Sequence, residues 1–223
     1  MKILDEAISK GQSTLSEYQS KSFLASYGIP ITREQLVSTK EEAIQAAKEI
    51  GFPVVLKGCA PQITHKTELN LIELDLRDDT AVADAYDRVS GHEGVSVDGV
   101  LVQEMVKGER ELVIGLTRDP QFGPCVMFGL GGIFTEILND VSFRIAPLEK
   151  KDALEMAREI RSHKILDAFR GKPPVDMDVL CQTLISIGEI GLEFDQIKEI
   201  DINPLIINGG KPIAVDALVV LDV

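Results

Sequence analysis

The stretch EIDINPLIINGGKPIAVDALVV, Glu199–Val220, decides how this chain is read. An apolar strand carries Asp201 and Asn203 and runs into Asn208-Gly209-Gly210, a turn signal. It returns through a second apolar strand bearing one acid, Asp216. Successive strand side chains point to opposite faces, so Asp201 and Asn203 share one face and Ile200 and Ile202 the other. Asp216 can meet the first pair across the hairpin. Hard oxygens gathered in an apolar strand pair suit Mg²⁺, which keeps waters and completes its shell with phosphate oxygens. The other reading is a solvated face on an edge hairpin, and the hairpin alone does not separate the two.

Working outward, 223 residues are enough for one large domain or two lobes with a real core. The net charge of −13 (23 basic against 36 acidic residues) disfavours nucleic acid or an anionic membrane as the main partner. A small anionic ligand stays open wherever a few Lys and Arg converge. No apolar run reaches membrane-spanning length and no signal-peptide pattern is visible, so a cytoplasmic protein is expected. Cys59, Cys125 and Cys181 match neither a metal pattern nor a disulfide framework and read as reduced thiols.

Thr14-Leu-Ser-Glu17 reads as a capping box opening a helix that Gly28 and Pro30 end. Thr39-Lys-Glu-Glu42 is a second box, and its helix stops at Gly51. Pro53–Lys57 predicts a buried strand, Leu69–Arg77 another, and Asp79–Val89 a helix. From Val97 the pattern turns to strands: Val100–Val106, Glu111–Thr117 and Pro124–Phe128. Two helices follow, near Lys150–Ser162 and Asp176–Leu192, before the last hairpin. Strands and helices mix without a βαβα rhythm, which predicts α+β lobes, 1–105 and 106–223, with the boundary near Gln103–Lys107.

Several residues could carry chemistry. Lys57 ends a buried strand just before a loop, where an ammonium can hold a phosphate or simply reach out to water. Lys21, on the first helix, is a weaker candidate. In the loop after Lys57, His65 has a neutral imidazole competent to attack phosphorus, beside Lys66. Gly129-Leu-Gly131-Gly132 is neither a P-loop nor a dinucleotide fingerprint, and a structural turn is its default reading. Gln103–Val106 has the form of a strand ending beside a purine, with Glu104, Met105 and Val106 offering backbone groups and Glu109 or Glu111 reaching ribose hydroxyls. The alternative is a core strand with Glu104 in water. Arg118 reads as part of a turn, and Arg144 as a phosphate contact or a partner for a carboxylate.

Taken in order, these pieces resemble an ATP-grasp domain, and more closely the β subunits of ADP-forming acetyl-CoA (acyl-CoA) synthetases, relatives of succinyl-CoA synthetase. The carriers are SEYQSKSFLASYGIP, GFPVVLKG, the PQITHK loop, VIGLTRDPQFGPCVMFGLGGIFTEIL, FRIAPL, FRGKPPVD, and EIDINPLI followed by AVDA. The resemblance covers nearly the whole chain. It implies an ATP-grasp fold, with 1–105 holding N-terminal helices and the small lobe, 106–223 the large lobe with the metal hairpin, and a nucleotide cleft between them.

By the same resemblance Lys21 and Lys57 contact nucleotide phosphates, Glu104 to Val106 form the adenine hinge, and Asn203 and Asp216 hold Mg²⁺ with Asp201 adjacent. His65 matches a histidine that is transiently phosphorylated. After His65-Lys66-Thr67 the family's acid and Gly-Gly pair are replaced by Glu68-Leu69-Asn70-Leu71, so contacts that need those glycines are not carried over. The implied reaction converts acyl-CoA, phosphate and ADP to free acid, CoA and ATP, with ATP/ADP and Mg²⁺ bound here and the acyl and CoA sites on a separate α subunit, as α2β2. A relay through His65 requires a loop that moves, which Gly58, Gln62 and Thr64 permit. Two rivals remain: an ATP-grasp ligase that forms an acyl phosphate without His65, and a nucleotide-sensing module without chemistry.

Overall fold

The chain forms the following elements: helices α1 (Lys2–Ser9) and α2 (Glu17–Ala25), strand β1 (Glu34–Val37), α3 (Lys40–Ile50), β2 (Val54–Cys59), β3 (Ile72–Leu76), α4 (Asp79–Ser90), β4 (Gly99–Glu104), β5 (Glu111–Asp119), β6 (Gly123–Leu130), β7 (Val141–Ile145), α5 (Lys150–Glu159), a short 3₁₀ turn (His163–Leu166), α6 (Met177–Glu193), β8 (Ile197–Asn208), β9 (Lys211–Ala214) and β10 (Ala217–Leu221). They come from a computed structural model that describes residues 2–61, 71–91, 97–108, 110–132 and 139–222. None of the described helices is long and apolar enough to cross a membrane.

Contacts group the chain into two units: Leu15–Gln19 with Thr32–Val106, and Met1–Thr14 with Ser20–Ile31 and Lys107–Val223. The N-terminal helices divide between the two units. From Ser20 on, α2 packs with the C-terminal part of the chain, because Phe23 and Tyr27 form an aromatic trio with Phe194 at centroid distances of 5.4 to 6.1 Å.

The smaller unit is an antiparallel sheet of order β1-β4-β2-β3. Helices α3 and α4 cover one face. Ala43, Ala46, Ala47, Val82, Ala85 and Val89 from the helices meet Val54, Leu56, Val100 and Val102 from the strands. Small residues let the helices lie close to β-branched strand positions. The capping box at Thr39 is present with both bonds, and Gly51 ends α3 at φ 97°. Alternation leaves Val55, Lys57, Leu101 and Gln103 on the opposite face, with Lys57 directly across from Leu101.

In the larger unit β10-β8-β5-β6-β7 form an antiparallel sheet, and β9 also pairs with β8. Leu112, Ile114 and Leu116 of β5 face α6, whose Leu184, Ile187 and Ile190 are fully buried. Gly191 of α6 sits so close to the sheet that an added Cβ would lie 2.8 Å from the Leu116 side chain and from Pro124. Only glycine allows that approach. Arg118, read from sequence as a turn residue, closes this packing. Its guanidinium donates to the carbonyls of Gly191, Phe194 and Ile197 at 2.6 to 2.7 Å, a cation at the C-terminal end of α6. Arg144 takes the carboxylate alternative and pairs with Glu159 at 2.8 Å.

Candidate functional site

In the larger unit, β8 pairs with β10 so that Ala217 faces Ile202 and Leu218 faces Asp201. One step further, the Asn203 N–H donates to the Asp216 carbonyl at 3.2 Å. Asp216 therefore lies across from Asn203, at the bend where β9 gives way to β10, and Asp201, Asn203 and Asp216 fall on one face. Ile200 and Ile202 are buried on the other, as the alternation predicts. Asn203 is exposed, and Asp201 and Asp216 are half-buried. On β5 the residue opposite Asp201 is Gly115, so no side chain at that position crowds the carboxylate.

The electrostatics favour a cation. Burial pushes the Asp201 carboxyl up to about 6, and the neighbouring Glu199 and Asp216 carboxylates push the same way. Among the described residues no group of three or more His, Cys, Asp or Glu converges as a metal site. The oxygen set is instead two carboxylates and one carboxamide. That donor chemistry fits Mg²⁺, which prefers few protein oxygens and completes its shell with water and phosphate.

Lys21, expected at a phosphate, is completely buried, and its ammonium donates to the Val215 carbonyl at 3.2 Å, one residue before Asp216. Here it braces the bend of the hairpin. Glu111 lies on the same face of the sheet as Gly115. A Cβ on Gly132, at φ 68°, would come within 2.6 Å of its carboxylate, and the Gly131 N–H donates to the Glu111 carbonyl at 2.8 Å. An added Cβ at Gly131 would meet the Leu112 backbone at 2.8 Å. The paired glycines thus let the chain pass directly over the start of β5.

In the smaller unit, Lys57 lies at the centre of β2 rather than at its end, because the strand continues to Cys59. Its ammonium meets the Glu17 carboxylate at 2.7 Å, with side-chain exposures of 5% and 1%. The reading of Thr14 and Glu17 as a capping box is corrected here. Ser16 and Gln19 form the reciprocal pair: the Gln19 N–H donates to Ser16 Oγ at 3.3 Å and the Ser16 N–H to Gln19 Oε1 at 3.0 Å. Glu17 is released to face Lys57. The sequence held the signal, since Ser16-x-x-Gln19 is itself a box two positions further on.

At the expected hinge, the Glu104 carboxylate is held by Arg33, which donates from its backbone N–H at 2.8 Å and from Nε at 2.9 Å. The N–H groups of Glu104 and Met105 donate to the carbonyls of Arg33 and Pro53, at 2.9 and 3.2 Å. The Glu104 side chain stays 23% exposed, so this ion pair lies at the surface. His65, Lys66, Glu68, Asn70, Glu109 and Glu136 lie outside the described residues. Sequence reasoning passed over Arg110. It is buried, and its guanidinium binds the carbonyls of Ile165, Asp167 and Pro173, tying the segment that carries Phe169-Arg-Gly-Lys-Pro173 to the foot of β5.

This fold and this oxygen-bearing hairpin define a class: the chain belongs to the ATP-grasp family, whose domain profile matches residues 6–221. Within it the chain groups with subunits of acyl-CoA synthetases. It is 43% identical over 212 residues to the β subunit of an ADP-forming acetate–CoA ligase I of Pyrococcus furiosus, covering 93% of this chain and 91% of that one. Among solved structures, acetyl-coenzyme A synthetase 1 of Ca. Korarchaeum cryptofilum with coenzyme A and Ca-AMPCP superposes with a TM-score of 0.95 at 43% identity, over 99% of both chains. A second structure of that protein, with Mg-AMPPCP, has a phosphohistidine segment pointing towards the nucleotide site (TM-score 0.88, 44% identity, 99% of both chains).

Proposed function

We propose that this chain is the nucleotide-binding β subunit of an ADP-forming acyl-CoA synthetase, with acetyl-CoA as its substrate, and that it moves a phosphoryl group between an α subunit and ADP. The observation that carries this is the row Asp201, Asn203 and Asp216, with the Asp201 carboxyl pushed up to about 6 by burial and by its acidic neighbours. Asn203 and Asp216 would hold Mg²⁺, with Asp201 beside them. When bound, the ion supplies neutralisation of the polyphosphate charge. Lys57 supplies a second positive charge, and Glu111 a carboxylate for ribose hydroxyls. Since the N–H groups of Glu104 and Met105 are engaged within the smaller unit, Val106 is the backbone donor we assign to the purine edge.

The reaction then runs as follows. Acyl-CoA and phosphate give an acyl phosphate and CoA on the α subunit, and the phosphoryl group passes to a histidine there. An imidazole nitrogen of His65 attacks that phosphorus, forming one N–P bond as the other breaks. A terminal oxygen of ADP next displaces the His65 imidazole, giving ATP and neutral histidine. Such transfers ask the protein mainly for alignment and charge neutralisation. The test is reconstitution with the cognate α subunit, in an α2β2 assembly. Acetyl-CoA, phosphate and ADP should yield ATP, and ³²P should be trapped as acid-labile, base-stable phosphohistidine on this chain. Turnover without such a label would transfer the chain to ligases that form acyl phosphates directly.

A further inference from the structure

We propose that Glu17 is a competing anion for Lys57: it holds the ammonium while no nucleotide is bound, and a phosphate oxygen takes its place when one arrives. The inference rests on the nucleotide reading above and deepens it by naming the residue that sets affinity at Lys57.

The geometry makes Glu17 the fixed partner and Lys57 the movable one. Glu17 is the first residue of α2, directly after Ser16 of the Ser16/Gln19 box, where the exposed N–H groups of the helix favour a carboxylate. Its backbone is set by the helix and its side chain is 1% exposed. Lys57 carries its charge on four rotatable bonds, on the sheet face turned away from α3 and α4. At 2.7 Å and 5% exposure, the ammonium lies sheltered against a carboxylate. A buried ion pair gains little stability over apolar residues of the same shape, because desolvating both charges offsets their attraction. What the pair does provide is an ammonium compensated and held in place.

A nucleotide polyphosphate carries more negative charge than one carboxylate, so it can draw the ammonium off Glu17. Every binding event then leaves the Glu17 carboxylate without its 2.7 Å contact. That cost lowers nucleotide affinity, because two anions compete for one ammonium.

Opposite signs separate this role from a structural one. Neutralising Glu17 removes the carboxylate charge facing a buried lysine, so the ligand-free protein loses stability while the phosphate loses its competitor. Glu17→Gln should lower the melting temperature of the free chain and tighten Mg-ADP by roughly tenfold in titration calorimetry, within the usual range for coupled ligands. In the neutral pair Glu17→Gln with Lys57→Met that gain should vanish and binding should fall below wild type. Glu17→Asp, which withdraws the carboxylate by one methylene and keeps the charge, should give a smaller gain of the same sign and decides the matter if Glu17→Gln does not fold. A merely structural pair would lower stability and affinity together. Mg-ADP bound by Glu17→Gln, or by Glu17→Asp, no more tightly than by wild type overturns the inference alone. A wild-type chain that binds no Mg-ADP removes the nucleotide reading and this inference with it.

Discussion

Replacing Asp201 by asparagine should stabilise the protein at pH 8 and do almost nothing below pH 4. Asp201 ionises near 3.8 in an unfolded chain and near 6 in the folded one, because burial and the Glu199 and Asp216 carboxylates oppose its charge. Between those values the native state binds more protons than the unfolded state, so stability drains as pH rises from about 4 to about 6. Two pH units at about 1.4 kcal/mol each set a ceiling of about 3 kcal/mol, all of it lost by pH 8. The asparagine side chain has nearly the same shape and no charge, so Asp201→Asn recovers that loss. For a chain of this size, 3 kcal/mol corresponds to roughly 6–12 °C in melting temperature.

The assay is urea unfolding followed by far-ultraviolet circular dichroism at pH 4, 6 and 8, with and without Mg²⁺. Wild type should gain stability from Mg²⁺ at pH 8, since a cation relieves the same crowding, and Asp201→Asn should gain less. A variant no more stable than wild type at pH 8, or one equally stabilised at pH 4 and pH 8, would refute the electrostatic argument.

Three further outcomes are expected. Asp216→Ala should weaken Mg-nucleotide binding at least tenfold, about 1.4 kcal/mol, while Mg²⁺-free stability at pH 8 holds or rises; an unchanged calorimetric titration would discard Asp216 as a ligand. His65→Ala should abolish ATP formation in the reconstituted enzyme with nucleotide binding nearly intact, and full turnover would remove the relay. Arg110→Met leaves three carbonyls without their cation and should cost roughly 2–4 kcal/mol, read as a lower melting temperature and faster tryptic cleavage at the exposed Arg170; an unchanged cleavage rate would show that the Ile165–Pro173 segment is held by other contacts.

The oxygen-bearing hairpin was legible because both of its signals are local. Strand alternation assigns Asp201 and Asn203 to one face whatever else the chain does, and the Gly209-Gly210 turn sets the return that brings Asp216 across. The same holds for α3, where Thr39 and Glu42 cap within three residues of each other. Helix α1, strand β1 and strand β7 went unread. β1 has four residues and β7 five, too short to show a period, and each is defined by the partner strand it pairs with.

Four partnerships were invisible in the sequence for one reason. They belong to Glu17, read as part of a cap, Arg110, passed over, Arg118, read as part of a turn, and Lys21, read only as a phosphate contact. Their partners are 40, at least 55, at least 73 and 194 positions away. No window of sequence contains both halves of such an interaction.

Local pattern alone carried most of the element types, the α+β class, the oxygen row of the final hairpin and, through the motifs, the resemblance to ATP-grasp synthetases. Each follows from backbone periodicity or from residues close together along the chain. Tertiary structure alone decided which carboxylate accompanies Lys57, that the Lys21 ammonium meets the Val215 carbonyl, and that the Asp201 carboxyl is pushed up to about 6. Those outcomes depend on burial and on charges a few ångströms apart in space, and both arise only when distant segments pack together.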